Sequence, residues 1–357
     1  MSLRRFFVRC KFLCLLLVAL FLTIACQPPS PQSGSQTSGT GESVFLNGTG
    51  ATFPLFLYQR WFSEYNQAHP NVQINYQPVG SAAGIQQVIA GTVDFGASDI
   101  AMSDEEMAQV EQGVVLLPMT AGSIAITYNL PGVGSGLKLS REAYTEIFLG
   151  KISQWNDPKI AELNPDLSLP KQPISLVHRS DGSGTTAAFT AHLSDISDDW
   201  QKTVGSGLSV QWPAGVGIKS NAGVSAQIQQ AEGTIGYVEY SYAQQLGLAT
   251  AALENQAGEY VLPTLEATAS ALSQVEMPED LRTFITDPDG ADAYPIVTYS
   301  WLLAYQTYAD ANKAEALKSV IQWALMEGQS FSEELGYVPL PKDVAEKAMA
   351  AAEQIAS

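Results

Sequence analysis

His178-Arg179-Ser180-Asp181-Gly182-Ser183-Gly184-Thr185-Thr186 follows the apolar run Ile174-Ser175-Leu176-Val177 and precedes Ala187-Ala188-Phe189-Thr190-Ala191-His192-Leu193. The run before it reads as a buried strand and the run after it as a helix. The glycines and hydroxyls therefore sit on a strand-to-helix turn, where backbone N–H groups and the positive end of a helix dipole converge. Gly182 and Gly184 let the backbone approach whatever sits there. Ser183, Thr185 and Thr186 add hydroxyl donors, and Arg179 adds a planar fork matched to a tetrahedral oxyanion. The same residues also fit a Ser/Gly-rich helix cap with Arg179 paired to Asp181 at the surface, and the stretch alone does not separate the two readings. It is not a P-loop, because no Gly-Lys-Ser/Thr follows at the required spacing. Nor is it a nucleophile elbow, because Asp181 stands where Gly-x-Ser-x-Gly needs its first glycine.

Three more strand-to-loop junctions lie upstream. Val44-Phe45-Leu46 predicts a strand, followed by Thr52, Phe53 and Pro54 at the edge of a helix whose face carries Leu55, Tyr58, Phe62 and Tyr65. Val72 to Gln77 alternates as a strand and runs through Gly80-Ser81 into a helix with Ile85, Val88 and Ile89. Val93 to Ser98 is a third short strand, ending at Asp99, and Ser103-Asp104-Glu105-Glu106 forms a capping box. In an open α/β sheet such junctions gather at one edge, where ligands bind. Val114–Leu117 and Ile124–Tyr128 read as two further strands. Ser140 caps a helix through Tyr144 and Phe148 that Gly150 ends. Later come a helix led by Asn221-Ala222-Gly223-Val224, strands at Gly233–Val238 and Ile296–Leu303, and helices at Ala314–Met326 and Asp343–Ile355.

The chain has 357 residues, enough for two ordinary domains, and a formal net charge of −18. Its start is a processing segment: Arg4, Arg5, Arg9 and Lys11 lead into an apolar run from Phe12 to Ala25 that is shorter than a spanning helix. Thr23-Ile24-Ala25-Cys26 resembles a bacterial lipoprotein box, with Thr23 in place of the usual leucine. This makes residues 1–26 a lipoprotein signal peptide and Cys26 the lipidated new N-terminus. Without that leader, 14 of the 18 basic residues remain against 36 acidic ones. Such a balance argues against nucleic acid and anionic lipid surfaces as partners of the folded part. Small anions stay open, since local donors decide their binding. Residues 27–43 are nearly all Gln, Pro, Ser, Gly and Thr, a flexible tether. Cys10 and Cys14 leave with the leader, so no intramolecular disulfide is possible. His69, His178 and His192 are scattered, with no Cys/His metal spacing and no reason to invoke a cofactor.

Gly48-x-Gly-Ala-Thr-Phe-Pro54, Gly80-Ser81, Thr92-Val-Asp-Phe-Gly-Ala-Ser-Asp99, Leu149-Gly-Lys-Ile152 and Arg179-Ser-Asp-Gly-Ser-Gly-Thr185 stand in order. With Gly236-Tyr-Val-Glu-Tyr240 and Tyr337-Val-Pro-Leu-Pro341, they resemble the phosphate-binding protein of the bacterial ABC phosphate importer, the PstS type. The resemblance runs from about Val44 to the end. It implies an α/β, two-lobed periplasmic-binding-protein fold of type II, with the cleft between lobes joined by a two-stranded hinge. Residues 44–122 plus 298–357 would form lobe 1 and residues 123–297 lobe 2. It further implies a phosphate site built from Thr52, Phe53, Ser81 and Asp99 of the first lobe and Arg179, Ser183, Gly184 and Thr185 of the second, with Asp181 bracing Arg179. Ala82 stands where the family often has a second serine and is left out of that set.

The resemblance and the leader together imply a monomer that binds phosphate at the outer face of the membrane, anchored to lipid through Cys26, and docks on an ABC permease. The rival classes are a binder of another tetrahedral oxyanion and a phosphoester hydrolase using the same cradle. Hydrolysis needs a metal cluster or a nucleophile with its base, and the sequence offers neither. Asp99 disfavours sulfate, because phosphate keeps a proton at neutral pH that a carboxylate can accept.

Overall fold

The computed structural model describes residues 43–357. The signal segment 1–26 with Cys26, and all of the 27–43 tether but its last residue, lie outside them. The main strands are β1 (Val44–Gly50), β2 (Val72–Pro78), β3 (Phe95–Ser98), β4 (Val114–Asn129), β5 (Ser175–Arg179), β6 (Val216–Ile218), β7 (Thr234–Glu239) and β8 (Val297–Tyr305). They form a sheet in the order β2-β1-β3-β8-β4-β7-β5-β6. β1, β2 and β3 run parallel, as do β7, β5 and β6. β8 and β4 are antiparallel to their neighbours and to each other.

The two central strands join the halves of the molecule. β4 is one strand of 16 residues, where the apolar pattern suggests two. Its first part, to Ser123, pairs with β8, and from Ile124 on it pairs with β7. The sequence hides this continuity because Pro118, Thr120, Gly122 and Ser123 interrupt the apolar run. Pro118 cannot donate to a ladder, and the register shifts there: Ser300 faces Thr120 while Trp301 faces Pro118. Met119 is the extra residue, a bulge that lets a proline sit in a central strand. β8 is buried along all nine residues.

Helices cover both faces. α1 (Leu55–Ala68) packs Leu57, Tyr58, Trp61, Phe62 and Tyr65 inward, while Leu55 beside the capping Pro54 is only half-buried. α2 (Ser81–Ile89), α3 (Arg141–Phe148), α4 (Gly184–Ile196), α5 (Ser220–Gln230), α6 (Ala311–Met326) and α7 (Lys342–Ala352) follow. Ser140 caps α3 through its hydroxyl, and Ser103 forms the capping box of the short helix Asp104–Met107. The segment between Met277 and Arg282 lies against the β1-containing half. There Trp301 donates to the Leu281 carbonyl (2.7 Å), Lys347 donates to that of Met277 (2.7 Å), and Arg282 meets Asp104. Among the described residues no helix is long and apolar enough to cross a membrane.

Candidate functional site

β5 ends at Arg179 and α4 begins at Gly184, so the turn between them is the junction the sequence predicts. Ser183 caps α4, its Oγ accepting the Thr186 N–H at 3.1 Å. Gly184 and Thr185 open the helix, where amides have no intrahelical acceptor. The turn is thus a cap, but not a surface one. Arg179 is 3 % exposed and forks onto Asp181, with Nε to Oδ1 at 2.8 Å and Nη2 to Oδ2 at 2.5 Å. Burial pushes the Asp181 carboxyl up, but the hydrogen bonds and charge of Arg179, with the Ser220 amide, hold it below the usual carboxylate range. Nη1 of Arg179 is buried and has no partner among the described residues. A guanidinium aimed by a carboxylate and left with a free donor is built to meet an anion.

The opposite wall comes from three separate junctions. Thr52 and Phe53 lie in the loop between β1 and α1, Ser81 is the first residue of α2, and Asp99 follows β3; all four are buried. Ser81 Oγ accepts the amides of Asp99 (3.2 Å) and of Gly184 (3.0 Å), which comes from the other half. Asp99 Oδ2 lies 3.4 Å from the Thr185 hydroxyl and 3.5 Å from that of Ser81, while Oδ1 accepts from Ser300 at 2.9 Å. Burial drives the Asp99 carboxyl up to about 7 against the pull of Ser300, Arg179, Thr185 and Ser81. Its balance between acceptor and donor is therefore set near neutral pH.

The two walls touch. A Cβ on Gly184 would lie 2.6 Å from both Asp99 Cβ and Ser81 Oγ, so nothing larger than glycine fits there. The Ala82 amide donates to the Gly182 carbonyl at 3.1 Å, which occupies the backbone donor left at that position. The nine residues of the implied phosphate set thus lie in one cluster, eight of them buried and Asp181 partly so. His192 is buried against the Tyr144 hydroxyl (2.8 Å), and His178 stacks on Trp212.

Known proteins resemble the chain over most of its length. The PBP superfamily domain model matches residues 30–327. The phosphate-binding protein PstS of Pasteurella multocida is 43 % identical over 317 residues, covering 87 % of this chain and 90 % of the relative. The chain belongs to the PstS family. The PstS of Methanocaldococcus jannaschii is 39 % identical over 329 residues, covering 85 % of this chain and 84 % of its own length. Among solved structures, a high-affinity periplasmic phosphate-binding protein, PfluDING, bound with phosphate, superposes with a TM-score of 0.71. It covers 86 % of this chain and 93 % of its own, at 22 % identity. A phosphate-binding protein from Stenotrophomonas maltophilia gives 0.69 at 18 % identity, with 86 % and 94 % covered. At these identities the likeness shows the fold, the two-lobed periplasmic-binding architecture.

Members of the cluster that sequence reasoning missed come from elements remote in the chain. Ser300 and Thr298 of β8 hold the Asp99 side chain and carbonyl, the latter at 3.0 Å. Tyr242 and Tyr337 donate to the carbonyls of Thr52 (2.6 Å) and Phe53 (2.7 Å), fixing the loop between β1 and α1. Tyr337 in turn accepts from Ser241, which hydrogen-bonds the buried carboxyl of Glu239. Asn221, at the start of α5, bridges Thr52 and Thr185. Asn221 was legible as a helix-opening polar residue. Glu239 and Tyr337 fall within motifs quoted above but carry no local mark of this role, Ser241 and Tyr242 lie on the helix Tyr240–Leu246, and Thr298 and Ser300 sit in the apolar β8.

Proposed function

We propose that this protein binds inorganic phosphate outside the cytoplasm and delivers it to an ABC-type import permease. The observation that carries this reading is the buried pairing of opposites. The free Nη1 of Arg179 and a carboxylate acceptor, Asp99, lie in one cluster of hydroxyls and helix-opening amides. Thr52, Phe53, Ser81, Arg179, Ser183, Gly184 and Thr185 act as donors to the phosphate oxygens. Asp99 accepts the proton that phosphate still carries at neutral pH, and Asp181 braces Arg179. Residues 44–122 plus 298–357 make up the first lobe and 123–297 the second, with the Met277–Arg282 segment reaching back onto the first. The hinge lies where β4 and β8 run side by side, and the lobes close on the ion. The protein acts as a monomeric carrier and not as a hydrolase. A lipid on Cys26 holds it at the outer face of the membrane; Cys26→Ser should release it into the soluble fraction, and a wild type already soluble after osmotic shock would refute the anchor.

Isothermal titration of the mature protein with phosphate, sulfate and a chromogenic phosphoester tests the central reading. At pH 8 phosphate should bind, sulfate should give no signal at millimolar concentration, and the ester should stay intact. Equal binding of sulfate, or turnover of the ester, would overturn it.

A further inference from the structure

Asn221 is fully buried and touches three elements at once. Its Nδ2 lies 2.9 Å from Thr52 Oγ1 and 3.3 Å from Thr185 Oγ1, and its Oδ1 lies 3.2 Å from the Glu239 amide nitrogen. The Glu239 N–H can only donate, so the amide orientation is fixed: the atom facing it is the oxygen, and the NH₂ faces the two threonines. The Asn221 backbone N–H also points at Thr52 Oγ1, at 3.3 Å. A hydroxyl has one hydrogen and two lone pairs. Both lone pairs of Thr52 Oγ1 are thus engaged by Asn221, and its hydrogen must be donated elsewhere. Thr185 Oγ1 likewise accepts from Asn221, which leaves its hydrogen for an acceptor in the cleft. The nearest in the structure is Asp99 Oδ2, at 3.4 Å.

The backbone before Asn221 is held in an unusual shape. Ser220 has φ 65°, the left-handed region that a non-glycine residue rarely adopts. Its N–H donates to Asp181 Oδ1 at 3.1 Å, and its Oγ accepts the Gly223 N–H at 3.1 Å. The carboxylate that aims Arg179 therefore also anchors the turn that aims Asn221. Backbone strain of this kind persists where the surroundings over-determine it, often at functional sites.

We propose that Asn221 is a positioning residue that sets the polarity of the site. Resting on the phosphate-binding reading above, it engages the oxygens of Thr52 and Thr185, so that both hydroxyls present hydrogens to the anion. A threonine hydroxyl can otherwise rotate and offer a lone pair, which an anion rejects. With its NH₂ directed at Thr52 across the cleft and at Thr185 on its own side, Asn221 makes the donor orientation a property of the assembled site.

Three variants and one double-mutant cycle test this, read by phosphate titration with thermal melting to confirm folding. Asn221→Ala frees both hydroxyls to rotate and should weaken phosphate binding about tenfold, the size of one modest hydrogen-bond effect. Asn221→Asp keeps the shape and the bond from the Glu239 amide, but turns the NH₂ into an oxygen. The hydroxyls then turn toward it, and the loss should exceed that of alanine, by about a hundredfold or more against wild type. A role in packing alone predicts the reverse order, with the near-isosteric Asp the milder change. In the Thr52→Val background, which removes one of the hydroxyls, Asn221→Ala should cost clearly less than it does in wild type. Additive losses would overturn the proposal, as would an aspartate milder than alanine. A wild type that binds no phosphate would overturn both this proposal and the reading beneath it. A wild type that binds while all Asn221 variants bind equally well would overturn the Asn221 role alone.

Discussion

The two walls of the cleft are made in different ways. The second-lobe wall is one continuous turn, Arg179 to Thr185, in which the cation, its brace, the cap and the helix-opening amides come within seven residues. The first-lobe wall is assembled from Thr52-Phe53, Ser81 and Asp99, each after a different strand, and leans on β8 from the far end of the chain. The continuous wall supplies the positive charge and the dispersed wall supplies the acceptor. Charge can be aimed by a local ion pair. The buried carboxylate is instead fixed from several sides, by hydroxyls that come from separate elements.

The largest effect should come from breaking the continuous wall at its charge. Arg179→Ala should weaken phosphate binding by roughly 2–5 kcal/mol, since it leaves the bound anion without its cation. That is about one to four decades in the dissociation constant by titration. An unchanged affinity at low salt would mean that the guanidinium does not face the ligand.

Changing the dispersed wall should alter selectivity more than strength. Asp99→Asn should keep phosphate, whose proton the amide oxygen accepts, and admit sulfate, because the like-charge barrier of several kcal/mol is gone. A pH response follows with a definite sign. The folded carboxyl is raised to about 7 from an ordinary 3.8, so it gains its proton as pH falls through neutrality. A protonated Asp99 donates, so wild-type sulfate binding, undetectable at pH 8, should emerge below pH 7. The Asp99→Asn protein should show no such onset. Titrations of both proteins at both pH values decide the matter.

Where the walls meet, Gly184→Ala should act on closure. The added methyl has no room against Asp99 and Ser81 when the walls touch, and overpacking costs about 1–3 kcal/mol. Small-angle scattering should show the wild type shrinking with phosphate and the variant shrinking less, with affinity lower by roughly one to two decades. Equal shrinkage would show that the contact yields without cost.

The smallest effect should lie behind the site, at Glu239. Burial holds its carboxyl well above the ordinary 4.5, against the hydrogen bonds from Ser241. The folded protein keeps this proton while the unfolded chain releases it above that value. This contribution to stability is therefore complete below about pH 4.5 and declines as pH rises toward the folded pKa. Glu239→Gln should flatten that decline, seen as a smaller drop in melting temperature from pH 5 to pH 8 than in wild type. Parallel curves would mean that the carboxyl is ionised in the fold.

The sequence by itself determined what depends on neighbours within a few residues. The strand-turn-helix around Arg179, the caps at Ser103 and Ser140, and the junctions at Thr52, Ser81 and Asp99 all follow from period and cap chemistry. The tertiary structure alone decided what depends on strand register and on loops meeting across the cleft. The pairing of Ser98 with Trp301 carries Asp99 on to Ser300, two hundred and one positions away in the chain. β4 is one strand because a bulge at Met119 absorbs Pro118, which a period-two pattern reads as a break. Asn221 became a bridge only when α5 brought it beside Thr52 and Thr185. The physical reason is one of range: backbone preferences and caps act over about one turn, whereas the direction in which a hydroxyl hydrogen points is set by whichever buried groups the fold brings to its lone pairs.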